Sequence, residues 1–222
     1  MKKYAIIVAG GAGVRMGGSI PKQFQLLKGK PVLWYSVKAF ADAFDDVNII
    51  LVIAEIYTAR AESIIKEFPR RKFSIAAGGE TRFHSVKNGL KLVKENSVVF
   101  VHDGVRCLIT PGLIRRCYEG TVKSGNAVPA IAAMDTIRIE TSEGNMQVDR
   151  EKVKIIQTPQ TFFSDNLKDA FLQDYDPYFT DEASVIERKG AKINLVEGED
   201  SNIKITRPVD LLIAEKILQQ RK

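Results

Sequence analysis

Continuous apolar runs alternate along this chain with stretches whose apolar positions recur at helical spacing. Residues 4–9 form a short apolar run ending in glycines, the pattern of a first strand that feeds a loop. Residues 31–43 read as a helix, with Val32, Leu33, Val37 and Phe40 on one face. The β-branched run 47–53 predicts a strand buried on both sides, and 73–77 and 98–102 predict two more. Helical patterns fall between them over 58–68, closed by Pro69, and over 82–94, with Val86, Leu90 and Val93 aligned. Thr110-Pro111 is a helix start, with threonine as N-cap and proline at the first helical position; Gly125 stops that helix after Ser124. A strand over 126–131, helices capped by Ser164 and by Thr180, the second ended by Gly190, a strand over 192–196 and a last helix from Pro208 to Leu218 complete the series.

Strands alternating with helices imply an α/β fold with a mostly parallel sheet and helices on both faces. One region breaks the rhythm. Residues 135–150 alternate polar and apolar positions around a Ser-Glu-Gly-Asn turn, the signal of a β-hairpin. Inserted in a parallel α/β domain, it is either an arm projecting from the body or an edge hairpin.

The length of 222 residues, without linker, repeat or low-complexity tract, fits a single domain over 1–222 with the arm inserted at about 135–150. Hydrophobic residues at 45% and charged residues at 27% exclude a disordered, collagen-like or coiled-coil chain. The only cysteines, Cys107 and Cys117, form neither a metal-ligand pattern nor a disulfide framework, so a cytoplasmic location is expected. No run approaches the roughly 20 apolar residues of a membrane span, and the apolar start is too short for a signal peptide. The net charge of +6 favours an anionic ligand. Its basic residues are scattered without aromatic interleaving, so no nucleic-acid partner is expected.

Four segments carry candidate chemistry. The first, 9–18, is a glycine-rich loop directly after the first strand. Glycines there let backbone N–H groups approach phosphate oxygens. The loop fails the dinucleotide fingerprint, because position 16 is methionine, and fails the P-loop pattern, because position 19 is serine. What remains is Arg15 within the loop and Lys22 just after it, two cations suited to a triphosphate. The second, 78–85, lies between a strand and a helix, where small residues and Ser85 could meet a base edge. The third places Asp103 at the end of a buried strand, positioned for a metal or hydroxyl contact, with His102 a structural residue. The fourth, 201–208, carries Lys204 ahead of the last helix. Each alone is compatible with a tight turn, a capped helix or a surface lysine.

Together these segments resemble the 2-C-methyl-D-erythritol 4-phosphate cytidylyltransferases of the non-mevalonate isoprenoid pathway. The matching pieces are AGGAGVRM from Ala9, PKQF from Pro21, GGETR from Gly78, VHD from Val101, QTPQ from Gln157, TDEAS from Thr180 and NIKIT from Asn202. They keep the family's order and cover almost the whole chain. The resemblance implies a Rossmann-like nucleotidyltransferase fold and transfer of a cytidylyl group from CTP to methylerythritol phosphate with release of pyrophosphate. It also implies a Mg²⁺ held mainly by the CTP phosphates, with Asp103 a further candidate ligand, and a homodimer with exchanged arms.

Carried across by position, Arg15, Lys22 and Lys204 are the implied catalytic cations. Nucleotide contacts are implied at Ala9, Gly10, Gly11, Ala12, Gly13, Gly79, Glu80, Arg82, Ser85, Asp103 and Gly104. Substrate contacts are implied at Arg106, Thr136, Arg150, Thr158 and Lys204, with Arg150 reaching the neighbouring subunit's substrate phosphate. The chain departs from the family in two places: Gly104, Val105 and Cys107 stand in a stretch that is often Asp-Ala-Ala-Arg-Pro, and Glu80 replaces a common aspartate. A sibling activity, making CDP-ribitol from ribitol 5-phosphate, would share the fold, loop and arm. A non-catalytic nucleotide-binding protein would be free to lose cations that this chain keeps.

Overall fold

The computed structural model describes residues 1–11, 20–94 and 96–221. The first apolar run forms β1 (Lys2–Val8), and a short hairpin of β2 (Leu26–Leu27) and β3 (Lys30–Pro31) leads into α1 (Val32–Ala43). β4 (Val47–Ile53), α2 (Thr58–Ile65), β5 (Lys72–Ala77), α3 (Arg82–Leu90) and β6 (Ser97–Asp103) follow in strict alternation. Then come α4 (Pro111–Ser124), β7 (Asn126–Ala132), the arm strands β8 (Ile137–Thr141) and β9 (Gly144–Val148), β10 (Lys154–Ile156) and β11 (Gln160–Phe163). The chain ends with α5 (Ser164–Ala170), α6 (Glu182–Glu187), β12 (Leu195–Glu197) and α7 (Pro208–Gln220).

The sheet runs β10-β7-β11-β6-β1-β4-β5, with β12 also paired to β7. β6, β1, β4 and β5 are mutually parallel, and β11 runs antiparallel to both β6 and β7. The fold is therefore mostly parallel and Rossmann-like, with reversed strands β10 and β11 that the hydrophobic pattern did not mark. Each continuous apolar strand splits into two period-2 sets, as expected when both faces are covered. Ala5, Ile7, Ile49, Leu51, Val98 and Phe100 pack with α1 and α4, through Leu33, Phe40 and Leu113. Ile6, Ile50, Val52, Val99 and Val101 pack on the opposite face with α3 and α5, through Val86, Leu90 and Leu167. Among the described residues no helix is long and apolar enough to cross a membrane.

The Thr110 side chain accepts the Leu113 N–H, and Gly125 ends α4 at φ 90°, a left-handed conformation open to glycine. Two expected caps are displaced by one residue. Ser164 is the first residue of α5, and its hydroxyl instead accepts the Ser97 N–H at 3.0 Å. Asp181, not Thr180, caps α6 by accepting the Ser184 N–H at 2.9 Å, because its carboxylate competes better than the neighbouring hydroxyl for that donor. The strand expected over 192–196 shortens to β12 at its C-terminal end, where β7 offers it a partner.

Candidate active site

β1, β4 and β6 end level with one another. Val8 pairs with Asp103 on one side and Val52 on the other. The chain continues the pairing as it leaves: Ala9 N–H donates to Val52 O (2.8 Å), Gly104 N–H to Val8 O (2.9 Å) and Gly78 N–H to Ile53 O (2.8 Å). From β1 the chain crosses toward β4, and from β6 toward β7, so a crevice opens where the two directions part. It encloses about 430 Å³ and is lined by Ala9, Gly10, Gly11, Lys22, Gly79, Glu80, Arg82, Ser85, Asp103 and Lys204, among others.

Glycines set its shape. A Cβ on Gly10 would stand 3.5 Å from the Gly78 Cα, so the two loops touch backbone to backbone. A Cβ on Gly79 would fall 2.5 Å from the His84 Cβ and 2.9 Å from its carbonyl carbon, which leaves no room for a side chain. Ser85 Oγ accepts the Gly79 N–H (3.0 Å) and donates to Thr81 O (3.0 Å), so this buried hydroxyl holds the loop. The buried Gln23 side chain does the same for the first loop, donating to Ala9 O (2.6 Å) and Gly11 O (3.0 Å).

Five charges meet beside the crevice. Asp103 Oδ2 lies 2.8 Å from Lys204 Nζ and 4.0 Å from Arg106 Nε, and Asp103 Oδ1 accepts from Arg82 Nε at 3.1 Å. Arg82 directs both terminal nitrogens at Glu182, a fully buried carboxylate. Burial alone would raise the Asp103 pKa, but Arg82, Lys204 and Arg106 together hold it well below the carboxylate range. Burial opposes the charge on Arg82, and the two carboxylates more than restore it, so its pKa lies above the ordinary value.

Backbone carbonyls hold the segment that carries Lys204. Arg106 donates to Asn202 O (2.8 Å) and Ile156 O (3.3 Å). Asn202 Nδ2 donates to Thr158 O (3.0 Å) and Gln157 Oε1 (3.3 Å), and Ile205 N–H to Val105 O (3.0 Å). Lys22 Nζ reaches the same segment at Ile205 O, 3.0 Å away. Thr158, buried behind Asp103, accepts the Asp103 N–H at 3.1 Å.

The residues singled out by sequence thus divide into three sets. Lys22, Gly79, Arg82, Asp103 and Lys204 line one cleft, with Arg106 and Thr158 directly behind it. Thr136 and Arg150 lie elsewhere in this chain, exposed at the base of the arm around a separate hollow, where Arg150 donates to Met134 O at 3.0 Å. Ala12, Gly13 and Arg15 lie outside the described residues. Gln23, Glu182 and Asn202 escaped notice as site residues; all three fall inside the quoted motifs, and only their burial marks them as structural parts of the site.

The model of the IspD family, 2-C-methyl-D-erythritol 4-phosphate cytidylyltransferase, matches residues 4–220. The chain belongs to that family. Proteins named 2-C-methyl-D-erythritol 4-phosphate cytidylyltransferase from Bacteroides thetaiotaomicron and Phocaeicola vulgatus are 45% and 44% identical to it, over 98% of this chain and the whole of each relative. A solved structure of the 4-diphosphocytidyl-2C-methyl-D-erythritol synthase from Anaerococcus prevotii superposes with a TM-score of 0.85 at 27% identity, covering 98% of both chains. The Francisella tularensis 2-C-methyl-D-erythritol 4-phosphate cytidylyltransferase (IspD) superposes at 0.78 with 32% identity, covering 97% of this chain and 99% of that one. Members of this family are nucleotidyltransferases, and the sheet order and crevice described above are those of their Rossmann-like fold.

Proposed function

We infer that this protein transfers a cytidylyl group from CTP to 2-C-methyl-D-erythritol 4-phosphate, giving 4-diphosphocytidyl-2-C-methyl-D-erythritol and pyrophosphate. The observation that carries the reading is the convergence of Lys22 and Lys204, from opposite ends of the chain, on one glycine-walled crevice. A phosphate oxygen of the acceptor attacks the α-phosphorus of CTP, the bond from that phosphorus to the bridging oxygen breaks, and pyrophosphate leaves with its electron pair. The protein's task is positioning and charge neutralisation. Lys22 and Lys204 would neutralise the triphosphate, with Arg15 as a third cation, while backbone around Gly10, Gly11 and Gly79 would hold the nucleotide.

Among the described residues no group of three or more His, Cys, Asp or Glu side chains can hold a metal ion by itself. The donors fit an ion gripped mainly by the triphosphate, with the Asp103 carboxylate as the protein-side oxygen. Bound there, Mg²⁺ would supply charge neutralisation on phosphate oxygens.

A homodimer with exchanged arms is part of the same proposal. The register pairs Ile137 with Val148 and Ile139 with Met146, so one face of the ribbon is apolar. Ile139 is 52% and Met146 56% exposed. An isolated two-stranded hairpin is marginal in water, and a second copy would cover that face while offering Arg150 to the neighbouring subunit's substrate phosphate. A cytoplasmic location accords with Cys107 and Cys117 as buried free thiols.

The experiment is pyrophosphate release measured with CTP or UTP against methylerythritol phosphate or ribitol 5-phosphate. We expect turnover with CTP and methylerythritol phosphate. Preference for ribitol 5-phosphate would reassign the protein to the sibling activity, and equal kcat/KM for CTP and UTP would contradict a base site near Gly79 that distinguishes the amine of cytosine.

A further inference from the structure

Arg82, Asp103 and Lys204 line the crevice; Glu182 does not. Yet Glu182 is a fully buried carboxylate, and such a group is costly unless paired and hydrogen-bonded. Its placement is over-determined. Asp181 and Ser184 close a capping box at the start of α6, and Gln160 on β11 braces it, accepting the Ala183 N–H (2.8 Å) and donating to Asp181 Oδ2 (2.7 Å). The Glu182 carboxylate is thereby aimed at both terminal nitrogens of Arg82.

We propose that Glu182 is a positioning residue for cytidylyl transfer, acting through Arg82 and Asp103 on Lys204. The inference rests on the proposed reaction. A guanidinium carries five donors in a fixed fork. With Glu182 holding the two terminal nitrogens, only Nε remains for Asp103, and it takes Oδ1. Oδ2 is left for Lys204, 2.8 Å away. Without the Glu182 charge, Asp103 becomes the one carboxylate facing Arg82 in this cluster, and a bidentate pair is the stronger arrangement. Arg82 would turn onto both Asp103 oxygens and displace Lys204, whose flexible stem has no other anchor of comparable strength in the cluster. A purely structural role, gluing α6 to α3, would alter stability and leave the chemical step alone.

The test is a double-mutant cycle on pyrophosphate release from CTP, run with both polyol phosphates, with melting temperatures taken alongside. Glu182→Gln keeps shape and one acceptor but removes the charge. We expect its kcat to fall by roughly tenfold or more, with KM for CTP changed by less than about threefold. The loss should largely vanish when Asp103→Asn is already present, since Arg82 then has no second carboxylate to turn to. Arg82→Lys removes the fork without stranding an unpaired guanidinium and should show the same dependence on Asp103, which keeps the test decisive if Glu182→Gln does not fold. Unchanged kcat in folded Glu182→Gln, or equal losses in both backgrounds, overturns the role. A wild-type protein that releases no pyrophosphate with either acceptor overturns the proposed reaction and this role with it, whereas wild-type turnover beside an unaffected Glu182→Gln overturns the role alone.

Discussion

His102 Nδ1 and Thr158 Oγ1 lie 3.0 Å apart inside the sheet, and that contact sets the state of the imidazole. The Thr158 hydroxyl already accepts the Asp103 N–H, so its own proton goes to Nδ1. The ring's remaining proton sits on Nε2, which donates to Arg106 O at 3.3 Å. Burial lowers the His102 pKa to about 3, with the neighbouring Arg106 charge acting in the same direction, so the neutral ring is the folded form.

That depression has a consequence for acid stability. An unfolded histidine titrates near 6.5, so below that pH the unfolded chain binds a proton that the folded chain refuses. Stability is therefore lost as pH falls from about 6.5 toward 3, by on the order of a few kcal/mol. Denaturant melts of wild type and His102→Gln at pH 7, 6, 5 and 4 check this. The cost of the substitution should shrink steadily toward acid, and a difference independent of pH would contradict it.

Lys22→Ala should leave the fold intact and lower kcat strongly. The bond lost within the protein is one to the Ile205 carbonyl, in a partly exposed setting. A cation on developing phosphoryl charge, by analogy with an oxyanion donor, is worth about 2.7–4 kcal/mol. Near wild-type turnover in a folded variant would make Lys22 a tether for the Lys204 segment only.

Gly79→Ala tests the wall of the crevice. Its methyl would meet His84 Cβ at 2.5 Å and backbone carbon at 2.9 Å, so the loop must move. Overpacking of this kind costs typically about 1–3 kcal/mol. The Gly79–Ser85 bond should break with it, and titration should show weaker CTP binding than for wild type. Gly112→Ala on α4 is the control, since its Cβ would meet only Thr110 Oγ1, at 3.5 Å.

The arm is tested by complementation. Lys22→Ala and Arg150→Ala chains, each inactive alone, are refolded together, and heterodimers are isolated. If Arg150 serves the neighbouring subunit, one site per heterodimer contains both wild-type residues and activity returns. Verified heterodimers without activity would mean that each site is built from one chain. Deleting 137–148 should also convert a dimer to a monomer by light scattering.

Much of the fold was legible in the order of residues because its strands are buried on both faces. The runs at 47–53 and 98–102 are apolar throughout, and only a two-sided environment rewards that pattern. Thr110, Pro111 and Gly125 marked both ends of α4, because caps act on neighbouring backbone and need no distant partner. β10 and β11 were not visible: they are short, and what makes them strands is an exposed edge of β7 and of β6 waiting to be paired. The site divides the same way. Glycines and cations at 9–13, 22, 79 and 204 could be noticed singly, since their chemistry is in the residue type. That Lys204 meets Asp103, that Arg82 is shared between Asp103 and Glu182, and that Gln23 clasps the loop at Ala9 and Gly11 are decisions of tertiary structure. Nothing local to those residues encodes the partner; the register of β1 against β6 and the docking of α6 on β11 bring the charges together.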